Sequence, residues 1–251
     1  MAKIIVCTGR GGAGKSTFVA LMSRYLPSPA LLVDLDPDLS LADMLGIDLA
    51  KEGKKTLVEA LYQAVKERQR GGSPLTPVEE RFAGLLWTES LYEGRGFDLL
   101  TLGVKDLEGC YCFPDHLLRK TISKLAKNYK NLVVDSPAGL EHLNRHVVSE
   151  VDDLFVILDP SEKSLTHIKK VKIILREVGM IYRRFYLVGN YMFDEGAEQH
   201  FAAAGEVFLG RIEYDPQVEK YNLQGKSLRE LAADSPACQS VKKILEKAGV
   251  I

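Results

Sequence analysis

The chain has 251 residues and a formal net charge of −1, with 46% hydrophobic and 27% charged residues. These values are typical of a soluble globular protein, and the net charge gives no reason to expect nucleic-acid binding. No apolar run approaches the roughly 20 residues of a membrane span, so membrane binding is not expected either. Because no signal-peptide pattern precedes the first apolar run and there are only four cysteines, the sequence predicts a cytoplasmic protein without a disulfide framework.

Short apolar runs alternate with segments of helical periodicity along the chain. This alternation predicts an α/β fold, a single domain over residues 1–251 whose mostly parallel, twisted central sheet carries helices on both faces. In such sheets ligands bind outside the carboxyl ends of the strands. The predicted strands are residues 4–7, 30–33, 97–102, 131–134, 154–158, 185–188 and 207–209.

A glycine-rich turn follows the first strand and precedes a helical pattern. It contains the complete Gly-x4-Gly-Lys-Ser pattern of a phosphate-binding P-loop. Glycines let backbone N–H groups approach phosphates, and the start of a helix favours negative charge. There Lys15 reaches the β- and γ-phosphates, and Ser16 supplies a hydroxyl to Mg²⁺. The predicted nucleotide-binding residues of this loop are Gly9, Gly11, Gly12, Ala13, Gly14, Lys15, Ser16 and Thr17.

Carboxylates follow two of the predicted strands. Asp34, Asp36 and Asp38 come just past the second strand, where they can face a bound triphosphate. Asp36 is predicted to orient the attacking water, and Asp34 and Asp36 are candidate Mg²⁺ ligands. Asp135 ends the fourth strand and is the candidate for a further Mg²⁺ carboxylate, followed by a loop that senses the γ-phosphate. A solvated acidic turn and an ordinary helix cap are the alternatives for these two regions.

Three later regions have weaker assignments. Residues 50–95 are interpreted as a helical insertion beside the core. Asn190, after the sixth strand, is placed to hydrogen-bond the edge of an adenine, or simply to form a turn, and residues 211–216 could cover the base from the other side. The last helix begins at Ser235 and Pro236 and has one apolar face, which either docks on its own domain or lies on a membrane surface.

Together these motifs resemble those of the deviant-Walker P-loop ATPases, which include MinD, ParA and the nitrogenase iron protein. The family has a signature lysine after the first glycine of the loop, and residues 9–17 match its pattern except that Arg10 stands in that position. Residues 34–37 match the family's switch I region and residues 135–139 its switch II region. The resemblance implies a P-loop NTPase domain that binds ATP/ADP with Mg²⁺, hydrolyses ATP and forms an ATP-linked homodimer.

Within that group, three stretches resemble the CooC-type accessory ATPases, which assist nickel insertion into carbon monoxide dehydrogenase. They are residues 109–119, residues 138–145 and residues 209–215. In that family, two cysteines of each subunit jointly bind one Zn²⁺ or Ni²⁺ across a homodimer interface. Carried over, the resemblance implies Zn or Ni at Cys110 and Cys112, and a client metalloenzyme such as carbon monoxide dehydrogenase.

Coordination chemistry is consistent with that implication. Two thiolates fill only two of four tetrahedral positions, so a two-fold dimer could complete the site. Taken alone, the Cys-x-Cys spacing of Cys110 and Cys112 is equally compatible with inert thiols or a redox pair.

Two roles in the dimer are compatible with an arginine at the signature position. A guanidinium can grip phosphate oxygens with two parallel hydrogen bonds, whereas an ammonium is a point charge. Arg10 could therefore act catalytically in trans as an arginine finger, or it could leave the dimer less tightly coupled to ATP. Because residues 135–139 are closer to MinD than to the nickel proteins, a positioning ATPase of the MinD/ParA kind that binds membrane or DNA is the alternative function.

Overall fold

The computed structural model describes residues 2–69, 77–104, 112–137, 150–203 and 205–251, with the backbone alone at residues 69 and 112–116. All seven predicted strands are present, and an eighth was not predicted. The strands are β1 Lys3–Gly9, β2 Ala30–Asp34, β3 Tyr92–Glu93, β4 Phe97–Thr101, β5 Asn131–Asp135, β6 Glu150–Leu158, β7 Ile181–Gly189 and β8 Val207–Arg211. They form one sheet in the order β3-β4-β2-β5-β1-β6-β7-β8.

The helices pack on both faces of this sheet, as predicted. They are α1 Lys15–Met22, α2 Ser40–Met44, α3 Leu57–Gln69, α4 Val78–Leu85, α5 Cys112–Leu125, α6 Glu162–Glu177, α7 Glu195–Ala202, α8 Pro216–Leu223 and α9 Pro236–Lys247. Successive residues of β1 point to opposite faces. Ile5 and Cys7 therefore join one core with α1 and α9, and Val6 joins the other with the helices α3 to α6.

Only the β3–β4 pair is antiparallel among the strand pairs of the described sheet. In a parallel sheet the carboxyl ends of the strands meet at one edge. The P-loop after β1, the acidic turn after β2 and Asp135 at the end of β5 are thereby collected at a single edge. The fold class expected from the sequence is confirmed.

The last helix docks on its own domain. The Ser235 hydroxyl accepts a hydrogen bond from the backbone N–H of Cys238, and Pro236 occupies the first turn, as the sequence predicted. Val241, Ile244 and Leu245 are buried in the core that α9 shares with α1. The apolar face is therefore already covered by the protein. Within the described part of the chain, no helix combines the length and the apolarity that a bilayer crossing requires.

The region 50–95 is mainly helical in its described parts. Helix α3 buries one face, with Leu57, Ala60 and Leu61, in the core that also contains the sheet residues of that side. Helix α4 continues into a short π-helix, Leu86–Ser90. The interpretation of residues 50–95 as an insertion beside the core stays a prediction.

Candidate nucleotide site

The loop between β1 and α1 has the backbone of a phosphate cradle. A Cβ atom on Gly9 would lie 2.2 Å from the carbonyl oxygen of Ile157, so no larger residue fits there. Gly12 and Gly14 have φ values of +73° and +93°, which favour glycine. Because α1 begins at Lys15, the first N–H groups of the helix, including that of Ser16, lack partners within the helix and are available to a phosphate.

Lys15 lies over this loop. The residue is only 6% exposed, and its Nζ donates a hydrogen bond to the carbonyl oxygen of Arg10 at 3.1 Å. Burial lowers the pKa of Lys15, while the carboxylates of Asp135 and Asp36 oppose that shift. The structure therefore brings together the lysine and two of the acidic residues that the sequence placed at one site.

Both carboxylate oxygens of Asp34 accept hydrogen bonds from the loop that follows it. Its Oδ1 accepts the N–H of Asp36 at 2.9 Å, and its Oδ2 accepts the N–H of Leu41 at 3.0 Å. Burial raises the pKa of Asp34 to about 7, although these hydrogen bonds oppose the rise. Asp36 is partly buried, and its Oδ1 accepts the N–H of Asp38 at 3.1 Å. Asp34 thus shapes the turn that presents Asp36.

Asp135 lies at the centre of the site. Strand β5 runs between β1 and β2, so that Asp135 pairs in register with Cys7 and Asp34. It is 1% exposed, and neither carboxylate oxygen makes a hydrogen bond of normal geometry to the described residues, although the Ser16 hydroxyl is near enough to favour the ionised form. Burial raises the pKa of Asp135 to about 8, the Asp34 carboxylate adds to the rise, and Ser16 and Lys15 oppose it.

An unsatisfied carboxyl group beside a P-loop fits a magnesium ion. Mg²⁺ retains several waters and takes one or two carboxylates together with substrate phosphates, rather than a complete protein cage. The described residues contain no group of three or more His, Cys, Asp and Glu side chains able to hold a metal by themselves. Asp135 and the hydroxyl of Ser16 would hold the hydrated ion, which when bound neutralises charge on the phosphates.

We expect the contribution of Asp135 to the stability of the ligand-free protein to fall as the pH rises from near 4 to about 8. The folded state retains a proton on Asp135, whose pKa is about 8, but the unfolded chain releases it near 3.8. The slope for one such proton is at most about 1.4 kcal/mol per pH unit. Urea unfolding of the wild type and of Asp135→Asn at several pH values, without Mg²⁺ or nucleotide, measures this slope. The variant should show a shallower pH dependence, and identical slopes would contradict the assignment.

Arg10 does not project freely from the loop. Its Nη1 donates to Asp159 Oδ2 at 2.9 Å and to the Ser161 hydroxyl at 3.1 Å, and about a third of the side chain is exposed. Ser161 occupies the N-cap position of α6, but its hydroxyl accepts from Arg10 and makes no cap hydrogen bond. His167 on α6 is buried, and its pKa is lowered by burial and by the nearby cations Arg10 and Lys15.

Asn190 forms a turn and also lines a cavity. Its Oδ1 accepts the N–H of Met192 at 3.0 Å, whereas its Nδ2 is buried without a partner among the described residues. The cavity, of about 410 Å³, extends from Gly14 and Thr17 of the P-loop to Tyr214. The turn that the sequence offered as one interpretation is therefore present, whereas contact of Asn190 with an adenine stays a prediction.

The cysteine pair lies at the limit of the described chain. Cys110 is outside the described residues, and Cys112 begins α5 with its side chain outside them. Residues 138–145 are likewise outside. The strand that leads to the pair is nevertheless described: β4 pairs with β2, and the N–H of Leu102 donates to the carbonyl oxygen of Asp34 at 2.8 Å. The described chain up to Val104 thus leaves β4 at the same edge as the acidic turn.

Two residues that sequence reasoning did not assign to the site lie within it. Asp159 binds Arg10, and Tyr191 lines the cavity beside Tyr214, which belongs to the predicted stretch 211–216. Each directly follows a strand or lies a few residues beyond its end, which is the one signal that the sequence offered. Their partners depend on which strands are neighbours, and the alternation of strands and helices does not specify that order.

Comparison with known proteins agrees with this geometry. Residues 4–228 match the family described as the CobQ/CobB/MinD/ParA nucleotide binding domain. An uncharacterized ATP-binding protein of Methanocaldococcus jannaschii is 31% identical over 97% of both chains. The carbon monoxide dehydrogenase accessory protein CooC of Rhodospirillum rubrum is 26% identical, over 98% of this chain and 97% of that protein.

Solved structures show the same fold. The septum site-determining protein MinD of Pyrococcus horikoshii, in complex with Mg-ADP, is 21% identical and has a TM-score of 0.68 over 99% of this chain and 96% of that chain. The family match covers most of the sequence and includes the complete P-loop at residues 9–17. The chain therefore belongs to the CobQ/CobB/MinD/ParA nucleotide-binding family and is a P-loop ATPase.

Proposed function

We propose that this ATPase dimerises on binding ATP and serves as a maturation factor that delivers a metal to a metalloenzyme, in the way the name of its CooC relative suggests. The observation that carries the proposal is the pairing of β4 with β2. It joins the strand leading to Cys110 and Cys112 to the strand leading to the acidic turn. A change in that turn during hydrolysis would be transmitted directly to the cysteine segment.

The roles of the site residues follow from their surroundings. Lys15 and the N–H groups at the start of α1 would hold the β- and γ-phosphates. Ser16 and Asp135 would hold hydrated Mg²⁺. Asp36, held by the turn that Asp34 braces, would orient the attacking water. Both oxygens of Asp34 already accept backbone N–H groups, which supports a structural role for it rather than direct contact with Mg²⁺.

Arg10 would connect the two subunits. Its contact with Asp159 and Ser161 keeps the guanidinium on its own chain. To reach the partner's nucleotide, it must leave a partly buried ion pair, and phosphate oxygens offer a comparable bidentate partner. In the ATP-bound dimer, Arg10 would thus exchange its contact with Asp159 and Ser161 for one with the partner's nucleotide. In the monomer, it would keep the contact within its own chain.

The metal site would be shared by both chains. Cys110 and Cys112 supply two thiolates, and the same pair from a second copy would complete a tetrahedral site for Zn²⁺ or Ni²⁺. Nickel insertion into carbon monoxide dehydrogenase is the specific task that the CooC likeness favours.

Metal analysis tests this proposal most simply. Wild-type protein purified without chelator should contain about half a metal ion per chain, corresponding to one tetrathiolate site per dimer. Cys110→Ala/Cys112→Ala should contain none, whereas Cys7→Ala, which removes a buried cysteine of β1, is the matched control and should keep it. Equal metal in the double variant and the wild type would contradict the proposal.

The alternative function is a positioning ATPase that binds a membrane or DNA. The MinD-like fold over nearly the whole chain favours it. A positioning ATPase requires no cysteine pair but must bind a membrane or DNA. A pelleting assay therefore distinguishes it from a metal-delivery factor. Pelleting with anionic liposomes or with DNA in the presence of ATP would support this alternative, provided that Lys15→Ala does not pellet.

A further inference from the structure

The turn between β2 and α2 contains a residue in a strained backbone conformation. Leu39, just before α2, has a φ of +57° and a ψ of +31°, which is the left-handed region. Among the described residues other than glycine, it is the one with a positive φ. A bulky side chain disfavours this region because its Cβ approaches the neighbouring carbonyl oxygen. Such strain persists only where the surrounding contacts enforce it.

Hydrogen bonds on both sides of Leu39 enforce its conformation. The Asp34 carboxylate accepts the N–H groups of Asp36 and Leu41, at 2.9 and 3.0 Å, so the chain between them must form a tight loop. Within that loop, the N–H of Leu39 donates to the carbonyl oxygen of Asp36 at 3.2 Å. The leucine side chain is partly buried against the core that α1 shares with α9. These contacts, rather than the local preference of leucine, hold residue 39 in the left-handed region.

The same turn occupies the carboxylate that would orient the attacking water. Asp36 Oδ1 accepts the N–H of Asp38 at 3.1 Å, and the backbone carbonyl of Asp36 accepts the N–H of Leu39. Turning the Asp36 side chain toward a water beside the γ-phosphate would withdraw Oδ1 from Asp38. A movement of Asp36 therefore disturbs the hydrogen bonds that close the turn at Leu39.

We propose that Leu39 is a strained hinge whose relaxation favours the binding of ATP over ADP. The proposal rests on the proposed function, in which the phosphates lie on the P-loop and Asp36 orients the attacking water. ATP draws Asp36 toward that water, and residue 39 then leaves the left-handed region. ADP has no γ-phosphate, so the resting turn and its strain remain. The strain released at residue 39 thus contributes to the affinity for ATP alone.

Glycine and alanine at position 39 separate the strain from the loss of the side chain. Both substitutions remove the leucine side chain, but only glycine adopts the left-handed region without strain. Leu39→Gly should therefore bind a non-hydrolysable ATP analogue about 5- to 30-fold more weakly than Leu39→Ala, equivalent to about 1–2 kcal/mol of strain. The two variants should bind ADP equally. Calorimetric titration of both variants with the analogue and with ADP measures these affinities.

Thermal unfolding without ligand tests the strain itself and verifies that the variants are folded. Leu39→Gly should unfold about 2–4 °C above Leu39→Ala, because the Cβ of alanine keeps the strain. Ala203→Gly makes the same exchange at the end of α7, where φ is −75°. There glycine should lower the unfolding temperature and leave nucleotide binding unchanged.

Three results would overturn the hinge. They are equal affinities of the two position-39 variants for the ATP analogue, an equal loss of ADP affinity in Leu39→Gly, and a Leu39→Gly protein that unfolds no later than Leu39→Ala. Wild-type protein that binds neither nucleotide would instead contradict the proposed phosphate site, and the hinge with it. The metal content of the protein, which tests the proposed function, is independent of the comparison at position 39.

Discussion

Replacing Lys15 with alanine is expected to weaken ATP binding by about 30- to 5,000-fold, equivalent to about 2–5 kcal/mol. The lysine is nearly buried and lies over the P-loop, where its Nζ is 3.1 Å from the carbonyl oxygen of Arg10. Water screens a charge poorly at such a position, so its attraction to phosphate is strong. Calorimetric titration with ADP and with a non-hydrolysable ATP analogue measures the loss.

The appropriate control is another lysine from the same side of the molecule. Lys163 is exposed in the first turn of α6, and Lys163→Ala should bind ATP as the wild type does. Circular dichroism verifies that both variants are folded. A folded Lys15→Ala protein with wild-type affinity would show that the phosphates bind elsewhere.

Replacing Asp36 with asparagine is expected to lower kcat by about 10²- to 10⁴-fold while leaving ADP affinity nearly unchanged. Asparagine has the same shape and can still accept the N–H of Asp38, so the turn should persist. It cannot take up the charge or proton that an oriented water transfers to a carboxylate. Steady-state ATPase assays and ADP titration of the same preparation separate the two effects.

Asp34→Asn should behave differently, because its two oxygens brace the turn. An amide retains only one acceptor, so either the N–H of Asp36 or that of Leu41 loses its partner. We expect a loss of about 1–3 kcal/mol in the free energy of unfolding. If Asp34→Asn left stability unchanged and Asp36→Asn left kcat unchanged, the division of roles between these two carboxylates would be wrong.

The sheet was predictable because its strands are short apolar runs separated by helices. The seven strands other than β3 each carry that pattern and appear in the predicted regions, although β6 and β7 begin at Glu150 and Ile181, earlier than predicted. Strand β3 has only two residues and exists because Tyr92 pairs with Leu99 on β4. A segment so short has no periodicity of its own, so tertiary pairing alone determines it.

The site was predictable in composition and less so in contacts. Lys15, Asp36 and Asp135 were expected together because they follow strands whose carboxyl ends share an edge. The partner of Arg10 was not expected, since Asp159 is distant in sequence and becomes a neighbour only because β6 pairs with β1. The assignment of both Asp34 oxygens to backbone N–H groups likewise depends on the conformation of the turn.

Native mass spectrometry of the wild-type protein with Zn²⁺ tests most directly whether nucleotide and metal act on one dimer. With a non-hydrolysable ATP analogue we expect a dimer that carries a nucleotide on each subunit and a single shared metal ion. Cys110→Ala/Cys112→Ala should give the same dimer without the metal. A wild-type protein that stays monomeric with the analogue, or a dimer whose metal content does not depend on these cysteines, would contradict the proposed function.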